Sequence, residues 1–348
     1  MFLAAIAVVL TVFNSCKKDE LKTTPDEGIA KTSKSDVYLE NGYLAFKNMD
    51  AVDSVINVLS QMNRQGKDAW EQKIGLKSAR YEFDELFDVY EKLASYEEFL
   101  KFKAKYSEQL KFNEMDETDC SIDYPYESSY YAPVMNNKGI FKVGLSLFQY
   151  TREKQIIVLD GDMNKLKNLS SYSNDKNIIG INHLKVARSS NGFIMMDEFA
   201  DDCPFLPKQS YWTKGDRRVL NQLTIDMWVY WEDTDPFLIV TKGYRFCMKQ
   251  KAQKKSWLVG WRDYATIYEF KDVNYKIDAN PYHTVSYANG GVSPEVNGGV
   301  NWIIVDHEES WIHSGIWTYE YWQPNFNLDA KVSCRGLDGI PYPIIHVE

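Results

Sequence analysis

Two periodicities divide this chain. Between Asn48 and Gln65 apolar side chains recur at Met49, Val52, Val55, Ile56, Leu59 and Met62. That spacing of three and four gathers them on one face of a helix. A second helix is predicted over 68–73, ended by Gly75, and a third over 83–93 with Phe83, Leu86, Phe87 and Tyr90 on one side. Ser95 with Glu98 three residues on forms a capping box, opening a fourth helix through Phe99, Phe102, Tyr106 and Leu110. These stripes are packing faces, and no catalytic group lies on them at a meaningful spacing.

Residues 114–138 lose periodicity: an acidic stretch runs into Tyr124-Pro125-Tyr126 and Tyr130-Tyr131-Ala132-Pro133. Proline and aromatics without a period predict an extended connection lying across the fold. At Gly139 the period becomes two. Phe141, Val143, Leu145 and Leu147 alternate with Lys142, Gly144 and Ser146, then a turn at 151–154 leads to a returning strand over 155–159. Strand patterns continue at 178–186, 219–231, 237–249, 257–270, 301–305, 311–322 and 329–334. Asn289-Gly-Gly-Val292 recurs as Asn297-Gly-Gly-Val300, too few copies for a solenoid, and is read as a long, mobile loop. The expected fold class is therefore α+β: a helical region over 37–113, a connecting segment over 114–138, and an antiparallel β-sandwich or barrel-like domain over 139–348.

Ahead of these lies an address. Phe2 to Phe13 is an apolar run broken only by Thr11. It is too short to span a bilayer as a helix, which takes about 20 residues, and suits the apolar region of a secretory signal. Phe13-Asn14-Ser15-Cys16 follows and resembles a lipobox, so residues 1–16 are read as a lipoprotein signal peptide with Cys16 as the lipidated residue. Residues 17–36 lack aromatics and periodicity and are read as a flexible tether, with a root-mean-square reach of roughly 25 Å. Cys16-Lys17-Lys18-Asp19-Glu20 resembles the charged signal that sends such lipoproteins to the outer face of the outer membrane. The expected partner is thus the membrane, through the anchor, with surface exposure favoured over periplasmic retention.

Composition sharpens this. With 40 Lys plus Arg against 49 Asp plus Glu the net charge is -9, which repels phosphate backbones. No basic, aromatic-interleaved run stands out, so nucleic acid is not an expected partner. Nine of the ten Trp lie after residue 200, so the C-terminal half has a very aromatic core, an exposed aromatic surface, or both.

Tyr43-Leu44-Ala45-Phe46, Trp70 leading to Gly75-Leu76-Lys77-Ser78, and Asn137-Lys138-Gly139-Ile140-Phe141-Lys142-Val143-Gly144 resemble a family of uncharacterised Bacteroidetes lipoproteins over about residues 37–150. The resemblance implies an envelope location and this architecture. It assigns no chemistry.

Catalytic and metal signatures are sparse. Cys120, Cys203, Cys247 and Cys334 could form up to two disulfides in an oxidising compartment or remain buried thiols, and no CxxC pair suggests zinc. Asp306-His307-Glu308-Glu309 with His313 is the densest histidine cluster. Its two histidines would lie about 20 Å apart along a strand, too far to share an ion. Asp160-Gly161-Asp162-Met163-Asn164 mimics the start of a calcium loop, but Lys165 and Ser171 stand where Gly and Glu are needed. No nucleophile elbow, P-loop or dinucleotide fingerprint occurs. Neither cofactor nor metal is expected. The sequence therefore favours a non-catalytic binding protein, with glycan as the leading ligand. Trp212, Trp257, Trp261, Trp311, Trp317 and Trp322 are the candidate stacking residues, although alternating Trp also builds sandwich cores. The alternatives are a carboxylate-dependent hydrolase and a structural or adhesive surface subunit.

Overall fold

The computed structural model describes residues 36–113, 117–126, 129–172, 175–182, 194–195, 209–234, 237–257, 259–279, 283–288, 291–312, 324–334 and 344–347. Its helical region opens on a hairpin, β1 (Val37–Glu40) and β2 (Tyr43–Phe46), whose turn places Asn41 and Gly42 at positive φ. Four helices follow: α1 (Met49–Ser60), α2 (Arg64–Ile74), α3 (Ala79–Tyr90) and α4 (Tyr96–Tyr106). Each starts where a side-chain oxygen accepts a freed backbone N–H: Asn48 from Ala51, Asn63 from Gly66, Ser78 from Tyr81 and Ser95 from Glu98. Gly75 ends α2 in the left-handed region. Glu98 reaches back one residue further than a standard capping box, accepting from the Ala94 N–H at 2.7 Å. The carbonyls of Tyr90 and Leu93, at and just beyond the end of α3, accept from the Arg262 guanidinium.

A short pair, β3 (Lys111–Phe112) and β4 (Ile122–Asp123), leads into the strand-rich part. There β5 (Ile140–Val143), β6 (Ser146–Tyr150), β7 (Lys154–Val158), β8 (Ile178–Asn182) and β9 (Ile194–Met195) join the first hairpin in a seven-stranded sheet of order β1-β2-β5-β6-β7-β8-β9. Between β7 and β8 lies a short helix, α5 (Met163–Lys167). The β2–β5 and β8–β9 pairs are parallel, so the first strands and the later ones belong to one sheet. The continuous alternation read from 139 to 147 is in fact a hairpin. Gly144 takes φ +57, and an added Cβ would lie 2.2 Å from the Trp231 carbonyl oxygen. Only glycine fits there.

Two five-stranded sheets complete the fold. One contains β10 (Gln209–Lys214), β11 (Arg217–Asp233), β12 (Leu238–Ser256) and β13 (Gly260–Asp263), with β17 (Val300–Ile312) on the free side of β12. The other contains β15 (His283–Ala288), β14 (Thr266–Ala279), β18 (Pro324–Cys334) and β19 (Ile344–Val347), with β16 (Gly291–Val296) also on β14. The class is mixed α+β. Among the described residues no sheet closes into a barrel, because each keeps separate edge strands.

Ser35–Glu348 forms one compact unit, and the main core shows why. Met49, Val52, Ile56 and Leu59 of α1 pack with Phe46, Phe141 and Phe148 of the seven-stranded sheet and with Trp228, Val229, Tyr230 and Val240 of β11 and β12. Tyr131 stacks on Phe141, ring centroids 5.2 Å apart, so the 114–138 connection is built into this core. A second cluster joins Phe83, Phe87 and Tyr90 of α3 to Phe99 and Phe102 of α4 and to Val259. The second Asn-Gly-Gly-Val copy is a packed turn rather than a mobile loop. Asn297 donates to Asp84 at 3.1 Å, and a Cβ on Gly298 would lie 2.5 Å from the Phe83 ring.

Candidate functional site

Strand β12 carries a row of polar residues at alternate positions, Arg245, Lys249, Lys251 and Gln253, all inside the protein. Arg245 is 0% exposed. Its Nη2 bonds Asp53 of α1 and lies 2.6 Å from Asp306 of β17. Its guanidinium sits 4.5 Å from the Tyr130 ring and 5.1 Å from that of Trp228, close enough for cation–π attraction. Lys249 Nζ lies 2.6 Å from Asp123, and Lys251 Nζ 3.1 Å from Asp263. Arg218 pairs with Asp119 at 2.6 Å. Burial works against the charge on Asp123, but Lys249 and Lys251 outweigh it and hold its carboxyl below the usual carboxylate range. These opposite charges neutralise one another and fix the helices and the 114–138 connection to the sheet. They are structural groups.

Glu308 is different. It lies two positions from Asp306 on β17, and its Oε1 accepts from the Trp228 indole N–H at 2.9 Å and from the Tyr230 hydroxyl at 3.5 Å. No cation faces it within hydrogen-bond reach among the described residues. Burial, then the negative fields of Asp306, Asp50 and Asp53, push its carboxyl up to about 7, against the opposing pull of the Trp228 N–H. At neutral pH it is poised to give or take a proton.

The third feature is the tip where β10–β11 and β12–β13 turn side by side. In the first turn Gly215 adopts φ +59, and the Asp216 side chain is 63% exposed. Arg217 lies opposite Lys254 in register, and Lys255 N–H donates to the Asp216 carbonyl at 2.7 Å. In the second turn Trp257 is 90% exposed. The chain next to it is held from within. Val259 is buried and its carbonyl accepts from Cys120 Sγ, while the Trp261 N–H donates to the Thr118 carbonyl at 2.7 Å. A Cβ on Gly260 would strike that same carbonyl at 2.3 Å. Trp257 is thus presented from a fixed platform, with exposed Lys254 and Lys255 just before it.

Residues 35–191 match the family model described as a domain of unknown function, DUF4848. A crystal structure of a DUF4848 family protein from Bacteroides thetaiotaomicron VPI-5482 is similar at 15% identity and TM-score 0.29, covering 89% of this chain and 99% of that one. No curated protein matches. The DUF4848 match stops before β10, so the tip lies outside it, as do Arg245 and Glu308.

Of the six tryptophans proposed from sequence, the two whose side chains are described, Trp257 and Trp261, differ in their surroundings. Trp257 is exposed, whereas Trp261 is 9% exposed and packs under the Arg218 guanidinium at 4.5 Å. Trp261 is therefore a platform residue and not a stacking face. Trp212 lies opposite Val219 in β10 and Trp311 opposite Val240 in β17. Trp317, Trp322 and Cys16 lie outside the described residues. Cys120 and Cys247 are buried thiols, and neither forms a disulfide. Among the described residues no group of three or more His, Cys, Asp or Glu is placed to hold a metal, and no helix is long and apolar enough to cross a membrane. Sequence reasoning missed the cations around Trp257. The run Lys254-Lys255-Ser256-Trp257 was the available signal, and strand pairing adds Arg217 to it.

Proposed function

We propose that this chain is a cell-envelope lipoprotein, acylated at Cys16 and held outside the membrane by the 17–36 tether, that binds carbohydrate without transforming it. In this reading it is a Bacteroidetes-type surface lipoprotein whose two long-stranded sheets stack as a β-sandwich and display the tip. The single observation that carries the binding role is Trp257, 90% exposed on a hairpin anchored by Val259. An indole of this kind offers on the order of 150–250 Å². Covering it is worth about 4 kcal/mol at the usual coefficient, and the flat C–H face of a sugar ring fits it. The buried charges, in contrast, are committed to one another.

The test is a glycan array probed with the full chain, followed by fluorescence titration of the glycans that bind. Trp257→Ala is expected to weaken binding at least tenfold while leaving the melting temperature within about 1 °C, since the side chain buries so little. Unchanged binding would remove the tip from the account. One observation favours a second reading, a carboxylate-dependent hydrolase: Glu308, with its pKa near 7, stands two residues from the Arg245-paired Asp306. Release of new reducing ends from the bound glycans, abolished by Glu308→Gln, would establish that reading instead.

A further inference from the structure

The chain as a whole is acidic, at -9, yet a row of cations crosses the tip. Lys254 pairs in register with Arg217 on one side and with Arg262 on the other, so three cations form a row across β11, β12 and β13. Like charges directly opposite across strands cost stability. Arg262 escapes by turning its guanidinium to the carbonyls of Leu93 and Tyr90. Arg217 lies 4.7 Å from the Tyr264 ring and reaches Asp216 only at 3.9 Å. Lys254 is exposed, with no carboxylate within ion-pair distance among the described residues, and exposed Lys255 lies 5.7 Å from the Trp261 ring.

We propose that the ligand of the Trp257 tip is an acidic carbohydrate that wraps the turn: its carboxylate or sulfate groups bind Lys254 and Arg217 on one face of the sheet and Lys255 on the other, while a ring stacks on Trp257. This rests on the carbohydrate reading above. A bound anion converts the Arg217–Lys254 repulsion into attraction, so a feature that costs the empty protein stability contributes affinity in the complex. Asp216, exposed in the same turn, is placed to accept hydrogen bonds from sugar hydroxyls beside the cations.

The test titrates the full chain with polygalacturonate and chondroitin sulfate as acidic probes, galactan and dextran as neutral ones, and vesicles containing phosphatidylglycerol. The acidic polysaccharides are expected to bind. Raising NaCl from about 25 to about 300 mM should weaken binding roughly tenfold. Lys254→Gln with Lys255→Gln should do the same at low salt, and Trp257→Ala should remove it. Both lysines are exposed, so the Gln variants keep the fold, which their melting curves check. Equal binding of galactan or dextran, indifferent to salt and to the Lys changes, would overturn the acidic ligand and leave a neutral carbohydrate reader. Binding of no glycan would overturn both readings, and binding of the vesicles alone would assign the tip to lipid headgroups instead.

Discussion

Glu308 ties stability to pH in a direction opposite to that of most carboxylates. Its carboxyl rises from 4.5 to about 7 on folding because it is buried beside Asp306, Asp50 and Asp53. Below pH 4.5 it is protonated in folded and unfolded chains alike and costs nothing. Between 4.5 and 7 the unfolded chain ionises while the folded one does not, so stability falls as pH rises. Above 7 the loss is complete. At 1.36 kcal/mol per pH unit the full loss is about 3 kcal/mol, and between pH 5 and 8, discounted for the partial exposure of the group, about 2 kcal/mol. Unfolding entropy for a unit of this size makes that roughly 3 °C. Glu308→Gln keeps an acceptor for the Trp228 N–H and cannot ionise. Melting curves of both proteins at pH 5 and pH 8 isolate the group, because every other titration is common to the two. The advantage of the Gln variant should grow by about 3 °C from pH 5 to pH 8. A constant difference, or one that grows toward low pH, would refute the assignment of a protonated Glu308 beneath Trp228.

Two further substitutions probe the architecture. Gly144→Ala puts a Cβ 2.2 Å from the Trp231 carbonyl at positive φ and should cost more than about 2 kcal/mol. Gly215→Ala, at similar φ with nothing within 4 Å, should cost only about 1 kcal/mol; equal shifts in urea midpoint would discredit the close approach. Lys251→Met leaves Asp263 buried without its 3.1 Å partner and should cost about 3–5 kcal/mol in urea unfolding. A change under about 1 kcal/mol would show that the row on β12 is not a paired network.

The four helices were legible because their apolar stripes and cap residues are local signals, and Asn48, Ser78 and Ser95 cap where such residues should. The strands were legible as strands but not as partners. The β2–β5 pairing joins residues a hundred positions apart, and nothing in either segment announces it. Strand β17 was split in the sequence because Asp306-His307-Glu308-Glu309-Ser310 reads as a polar turn. The strand is continuous because Asp306 meets Arg245, Glu308 meets Trp228, and Ser310 bonds Thr241 at 2.8 Å. Pairing of this kind, with buried partners on the neighbouring strands, inverts the polarity rule that sequence reading rests on. The same inversion hid the charge row, where Lys249 and Lys251 look like a solvated edge. Trp257 could be named as a candidate but not distinguished from Trp261, four residues away. Which of the two faces water depends on where Thr118 and Val259 pin the hairpin.

The calcium-like stretch after β7 solves its electrostatic problem without a metal. Lys165 Nζ bonds Asp160 and lies 2.6 Å from Asp175, and Asn177 donates to Asp160 at 3.0 Å. While Asp162 is taken up in capping α5, the ammonium joins Asp160 to Asp175 and is covalently part of the chain. It cannot be stripped by a chelator or diluted away, and it demands no fixed coordination number. The Asp160–Lys165–Asp175 closure is thus built from the chain's own charges and calls on no calcium from the surroundings.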